Sequence, residues 1–120
     1  MADVGDAGLW ARSILDSTRV SAPHLLHVEV TSAFRAAVAR NVLTADSAAL
    51  AMGEVLDFPT ELYPFDIAAD RVWEFRDTMS AYDAWYVALA ELLEMPLVTL
   101  DRKLAGAKGA TCEFVTPSRP

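Results

Sequence analysis

The chain is most constrained by residues 80–104, SAYDAWYVALAELLEMPLVTLDRKL, where a helical pattern leads directly into a strand pattern. Ser80 is a typical residue before a helix, and Pro96 ends the apolar helical stretch that follows it. The continuous apolar run LVTL, residues 97–100, is typical of a buried parallel strand. A helix that leads into an adjacent parallel strand runs antiparallel to it, so this unit indicates an α/β fold.

The rest of the chain repeats this alternation. Helical patterns cover residues 6–16, 23–41, 44–58 and 66–75, and short strand patterns lie around Val20 and at residues 61–65 and 112–115. Ser21, Thr44 and Asp66 are the expected caps of the last three helices, and Pro23 suits a first helical turn. We therefore expect one domain over residues 1–120, with a mostly parallel sheet between layers of helices.

Composition limits the function without choosing it. The 120 residues are 53% hydrophobic and 22% charged, which is typical of a globular domain. No apolar run approaches the roughly 18 residues that a membrane span needs, and no basic cluster opens the chain as in a signal peptide. The lone Cys112 excludes an internal disulfide and favours the cytoplasm. The net charge of −7 argues against a generally basic nucleic-acid surface, but not against acids that bind divalent cations.

Two carboxylates bracket the helix and strand of residues 80–104. Asp101 directly follows LVTL and so lies at the carboxyl end of a predicted parallel strand, where ligands collect in α/β sheets. Asp83 lies at the start of the preceding helix, which the antiparallel arrangement brings to the same edge. Each residue has a simpler interpretation: Asp83 completes a capping pattern with Ser80, and Asp101 caps a short helix over RKLAG.

Glu29 is the third candidate. It borders an apolar stripe, and residues 25, 26, 32 and 33, which lie three and four positions away, include no lysine or arginine. A buried carboxylate without a partner is costly, so Glu29 is expected to be paired or bound to a cation. The alternative is a partly exposed glutamate at the border of the stripe.

Three converging carboxylates are suited to Mg²⁺ or Mn²⁺, which prefer oxygen ligands. Such ions activate water and stabilise the charges that develop in phosphodiester cleavage. Arg102, Lys103 and Lys108 follow Asp101 and are placed to hold a substrate backbone, although a solvated basic turn explains them equally well.

Two segments carry a family resemblance: residues 22–37, which contain HVEV, and residues 80–104, with YDAWYVALAE and LVTLDRKL. Together they resemble the VapC toxins of the PIN-domain ribonuclease family. The resemblance implies a PIN-like three-layer fold, RNA cleavage with Mg²⁺ or Mn²⁺, a cognate antitoxin and a homodimer. It implies that Glu29, Asp83 and Asp101 are the metal-binding and catalytic acids, and that Thr99 is the hydroxyl beside the last of them, where it contacts the substrate.

The chain departs from the family pattern at its start. Family members begin with an apolar strand that ends in a metal-binding aspartate, whereas this sequence opens with MADVGDAG. Asp3 and Asp6 are poor substitutes because no strand can precede them. We therefore expect the first strand to be missing. The leading hypothesis is a metal-dependent endoribonuclease toxin, possibly truncated. The alternatives are an inactive PIN-like module that binds an antitoxin or another partner, and an unrelated interaction domain whose acids are only caps.

Overall fold

The computed structural model describes residues 19–117. Over this range α-helices and short parallel strands alternate, which confirms the predicted α/β class. The predicted helix at residues 6–16 and the acids Asp3 and Asp6 lie outside the described residues. The chain divides into two compact units, of which the first is Val20–Tyr63 and the second contains residues 64–117. The expectation of one domain stays a prediction.

In the first unit, two strands flank two helices along the sequence. They are strand β1 (Val20–Pro23), helix α1 (Leu26–Ala39), helix α2 (Ala45–Asp57) and strand β2 (Thr60–Tyr63). Strands β1 and β2 pair in parallel, with Val20 opposite Thr60 and Pro23 opposite Tyr63. The strands predicted around Val20 and at residues 61–65 are therefore confirmed, the second ending just before Pro64.

The two helices of the first unit begin differently from each other. Thr44 caps α2 as predicted, because its side chain accepts a hydrogen bond of 3.1 Å from the Ser47 amide, and α2 ends before Pro59. The prediction that Ser21 caps α1 and that Pro23 opens it is wrong, since both residues belong to β1. A proline suits the end of a strand as well as a first helical turn, and here Pro23 is fully buried in the strand.

The second unit is built around one buried helix. Its elements are a 3₁₀ turn (Asp66–Ala68), α3 (Ala69–Glu74), α4 (Ala81–Leu93), β3 (Leu97–Val98), α5 (Arg102–Ala105) and β4 (Phe114–Val115). Strands β3 and β4 pair in parallel, with Leu97 opposite Phe114. The ladder is shorter than the predicted strands at 97–100 and 112–115. The prediction that Asp66 caps a helix is wrong. The segment starts as a 3₁₀ turn, in which the Ala68 amide donates a hydrogen bond to the Phe65 carbonyl.

The core of the second unit lies between α3 and α4. It consists of Ala68, Val72, Phe75, Ala84, Val87 and Ala88. Trp85 packs against this cluster, whereas Trp73 is 68% exposed and does not belong to it. Helix α4 begins at its predicted cap, Ser80, and ends before Pro96. Within residues 19–117, no helix has both the length and the apolar character needed to cross a membrane.

Candidate active site

Asp101 is held at the junction between β3 and α5. It is the N-cap of α5, and its Oδ1 accepts hydrogen bonds from the amides of Lys103, at 2.9 Å, and Leu104, at 3.3 Å. The Asp101 amide donates to the Thr99 hydroxyl at 3.0 Å. The capping interpretation is therefore correct, and it leaves the carboxylate exposed to solvent, with only one of its oxygens used by the helix.

Thr99 connects this junction to the neighbouring strand. Its amide donates to the Val115 carbonyl at 3.0 Å, and its hydroxyl accepts the bond from Asp101. The hydroxyl beside the last acid thus has an observed structural role, which is to fix the backbone of Asp101. Its predicted contact with substrate stays a prediction.

The two cations after Asp101 lie on α5 and are exposed. Arg102 donates a hydrogen bond of 2.6 Å from its guanidinium to the Pro117 carbonyl, so it holds the segment that follows β4. Lys103 contributes its backbone amide to the cap of α5. Neither contact tests the predicted binding of a substrate backbone by these side chains.

Asp83 lies in the first turn of α4 and is half-buried. Its amide donates to the Ser80 hydroxyl at 3.2 Å, as the capping interpretation requires. A carboxylate in a first helical turn is favoured by the helix dipole, so Asp83 has a structural reason to be there. That reason is compatible with metal binding, which stays a prediction.

Glu29 lies in the first turn of α1 and is exposed. The premise that Glu29 is buried is therefore wrong, and its predicted pairing or cation binding stays a prediction. Helix α1 carries no buried residue, and the apolar stripe beside Glu29 is at most half-buried. Glu29 belongs to the first unit, whereas Asp83 and Asp101 belong to the second. Their convergence stays a prediction.

The chemistry of these donors fits a hard divalent cation, although the described part of the chain contains no ready cluster. Among residues 19–117, no group of three or more His, Cys, Asp or Glu side chains is arranged to hold a metal ion. Mg²⁺ retains several waters and is commonly held by one or two carboxylates together with substrate phosphates. Asp83 and Asp101 supply carboxylates of the required kind within one unit.

The most elaborate polar cluster in the second unit was not predicted. The Arg71 Nε donates to Glu91 Oε1 at 2.7 Å, and its other guanidinium nitrogens bind Glu74 Oε2 at 2.9 Å and the Gly109 carbonyl at 2.8 Å. Glu91 Oε2 also accepts a bond of 2.7 Å from the Thr111 amide. The spacing of Arg71 and Glu74 is a usable helical signal, but nothing in the sequence connects Arg71 with Glu91, twenty positions later.

This cluster changes the pKa of both partners. Burial tends to raise the pKa of Glu91, but the hydrogen bonds from Arg71 and Thr111 outweigh it, and the pKa lies below its ordinary value. The pKa of Arg71 is raised by its bonds to Glu91 and Glu74. The guanidinium also lies 4.1 Å from the centre of the Phe75 ring. Glu91 is therefore a charged group committed to Arg71 rather than a free acid.

An open groove of about 420 Å³ lies beyond the end of α4. Its lining consists of Ala90, Glu91, Glu94, Met95, Pro96, Thr111, Cys112 and Glu113. None of the predicted site residues is among them. Burial and the charge of Glu91 raise the pKa of the Cys112 thiol, so this cysteine is not activated as a nucleophile.

Comparison with known proteins identifies the family. Ribonuclease VapC1 of Mycobacterium tuberculosis is 35% identical over 115 residues, which cover 95% of this chain and 86% of that protein. VapC ribonuclease Mb0985 of Mycobacterium bovis is 36% identical over 109 residues, covering 91% and 86%. Ribonuclease VapC12 of M. tuberculosis is 34% identical over 108 residues, covering 90% and 84%. No protein-family model matches the chain.

Helices with parallel strands, and an aspartate presented where β3 ends, define an α/β domain of the PIN type. Together with relatives of this identity and coverage, these features show that the chain belongs to the VapC-type family of PIN-domain toxins.

Proposed function

We propose that this chain is an endoribonuclease toxin of a type II toxin–antitoxin system that cleaves RNA with Mg²⁺ or Mn²⁺. The observation that carries the proposal is the presentation of Asp101 at the end of β3, fixed by Thr99 and by the first amides of α5. It is supported by relatives of at least 34% identity that are named ribonucleases. Glu29 and Asp83 are proposed as the other catalytic and metal-binding acids.

The role of the protein is to hold carboxylates where a cation and an RNA phosphate meet. When bound by these carboxylates, Mg²⁺ would supply an activated water and would neutralise the charge that develops on the phosphodiester. The Asp101 amide is held by Thr99 and its Oδ1 accepts from two amides of α5, so its other carboxylate oxygen needs little reorganisation to bind a cation. Arg102 and Lys103, both exposed beside it, are proposed to contact the RNA backbone.

The proposal includes a cognate antitoxin, a homodimer and a cytoplasmic location. Exposed apolar side chains on both units provide surfaces of the kind that proteins bind: Leu50 is 74% exposed and Val28 63% in the first unit, and Trp73 is 68% exposed in the second. An acidic chain of net charge −7 relies on local cations rather than on a general basic surface to bind RNA.

The test is cleavage of a labelled RNA by the purified chain with Mg²⁺, with Mn²⁺ and with EDTA. Asp101→Asn is the decisive variant, because asparagine caps a helix about as well as aspartate and so preserves α5 while removing the charge. We expect cleavage to fall on the order of 100-fold or more. Asp77→Asn, which removes an exposed acid elsewhere in the second unit, is the matched control and should retain full activity.

A second candidate function is an inactive PIN-like module that only binds an antitoxin. It is favoured by the absence of a three-residue metal cluster among residues 19–117. RNA that stays intact with every cation, while the protein still binds its antitoxin in a pull-down, would establish this alternative. Metal-dependent cleavage that is unchanged in Asp101→Asn would instead show that Asp101 is not part of the active site.

A further inference from the structure

Arg71 and Glu91, which form an ion pair, each hydrogen-bond to the loop of residues 109–111. Arg71 donates to the Gly109 carbonyl at 2.8 Å, and Glu91 accepts from the Thr111 amide at 2.7 Å. The loop therefore gives one acceptor and one donor to a pair of side chains that are themselves joined at 2.7 Å. Gly109 has φ of +85°, a conformation that favours glycine and is part of the shape of the loop.

The anchored loop leads directly into the strand that positions Asp101. Two residues after Thr111, the Glu113 carbonyl accepts from the Leu97 amide at 2.8 Å, and the Val115 carbonyl accepts from the Thr99 amide at 3.0 Å. The Thr99 hydroxyl then accepts from the Asp101 amide at 3.0 Å. A continuous path of hydrogen bonds and short backbone segments thus connects the ion pair to the candidate catalytic acid.

The ion pair is held more firmly than an ordinary surface pair. The Glu91 side chain is only 11% exposed and the Arg71 side chain 34%, so solvent screens their attraction less than on an open surface. Glu91 follows the most buried part of α4, residues 87–90, and the Arg71 guanidinium lies over the Phe75 ring. Both side chains therefore start from fixed parts of the core.

We propose that Arg71 and Glu91 are positioning residues for Asp101. By fixing the 109–111 loop they set where β4 begins, and β4 in turn sets the position of Thr99 and Asp101 through its pairing with β3. The effect of this pair on RNA cleavage rests on the proposed function, whereas its effect on the β3–β4 ladder does not. A pair that only added stability would protect the whole unit equally.

Hydrogen exchange of single amides, followed by NMR, separates positioning from general stability. In Glu91→Gln we expect exchange of the Leu97, Thr99 and Asp101 amides to accelerate about tenfold or more beyond the acceleration of Val87 and Ala88 in α4, whose amides report the global loss of stability. Glu74→Gln is the matched control, because it removes the charge of the exposed partner of Arg71 and leaves the hydrogen bonds of Arg71 to Glu91 and to the loop.

Arg71→Lys is the second variant, in case Glu91→Gln does not fold. Lysine keeps the charge but cannot bind Glu91 and the Gly109 carbonyl in the fork geometry of arginine. The same three amides should accelerate by about threefold or more beyond any acceleration in α4. Equal acceleration across the second unit in either variant, or no acceleration at Thr99 and Asp101, would overturn the proposal.

Titration with Mn²⁺ connects the ladder to the proposed site. In Glu91→Gln we expect the Mn²⁺ dissociation constant to rise about tenfold, the effect of removing a group that orients a metal ligand, and Glu74→Gln should match the wild type. Unchanged Mn²⁺ affinity in Glu91→Gln would contradict positioning of Asp101. If the wild type neither binds Mn²⁺ nor cleaves RNA, the proposed function fails, and the exchange pattern alone decides whether Arg71 and Glu91 position the ladder.

Discussion

The two units of the chain bury their side chains to different extents. In the first unit the buried apolar residues are Ala22 and Ala48, together with Pro23, and α1 has no buried residue. The second unit contains a continuous core between α3 and α4 and a shielded ion pair beside it. Asp83 and Asp101 therefore lie on elements beside a buried core, whereas Glu29 lies on a helix without a buried residue.

The largest expected effect tests the core on which this comparison depends. Phe75 is 3% exposed at the centre of the second unit, and Phe75→Ala should lower the free energy of unfolding by about 3–5 kcal/mol. Leu50 in α2 is 74% exposed, and Leu50→Ala should change it by less than about 0.5 kcal/mol. Urea unfolding of both variants measures the difference. If Leu50→Ala lowers the free energy of unfolding by more than about 1 kcal/mol, the exposed face of α2 is covered in solution. The two units would then not differ in burial.

The second prediction concerns the charge of Glu91. Because its pKa is lowered in the folded chain, its ionised form stabilises the fold above the ordinary value of 4.5, and this contribution is lost as pH falls through the lower folded-state pKa. At pH 7, Glu91→Gln should cost about 2–3 kcal/mol, since a partly shielded charged hydrogen-bond network loses its acceptor charge.

The pH dependence of that difference provides the check. Unfolding free energies measured from pH 7 down to pH about 3 should converge for wild type and Glu91→Gln as Glu91 becomes protonated. Glu74→Gln, whose side chain is 61% exposed, should follow the wild type throughout. If the difference in unfolding free energy between wild type and Glu91→Gln stays constant over this range, the glutamine amide itself disturbs the 109–111 loop. Loss of the Glu91 charge would then not be the cause of the destabilisation.

The third prediction concerns helix capping, in which the two units should not differ. Thr44 and Ser80 each accept a hydrogen bond from the amide three residues later, at 3.1 Å and 3.2 Å. Thr44→Ala and Ser80→Ala should each cost about 1 kcal/mol, because a cap satisfies a local amide whatever the burial of the helix. Values from urea unfolding that differ by more than about 1 kcal/mol would show that the surrounding core contributes to one of them.

The predictions from sequence succeeded where the interaction is local. Thr44, Ser80 and Asp101 cap helices because a short polar side chain reaches an amide two or three residues ahead, and spacing alone reveals such pairs. The prolines at 59 and 96 end helices for an equally local reason. The α/β class was predicted from the order of helix and strand patterns along the sequence, which is also local information.

The failures have tertiary causes. Pro23 has a backbone angle that suits a helix start and a strand end, and only its burial beside β2 decides between them. The stripe beside Glu29 has the spacing of a core face, but no residue of α1 is buried. Arg71 and Glu91 lie on different helices, so their contact depends on packing that no spacing encodes. The predicted convergence of Glu29 with Asp83 and Asp101 is of this tertiary kind and is still to be tested.

The smallest expected effect decides what Asp83 does. Asp83 has a favourable position in the first turn of α4, and Asp83→Asn should cost about 1 kcal/mol or less if that is its whole role. If Asp83 also binds a cation near Asp101, the variant should lose part of the stabilisation that Mg²⁺ gives to the wild type, since a ligand of the folded state raises its stability. Thermal melts with and without Mg²⁺ measure both quantities, with Asp77→Asn as the control for general loss of charge. Equal shifts of the melting temperature in both conditions would leave Asp83 a helix-capping residue alone, and the second unit would then contribute only Asp101 to a metal site.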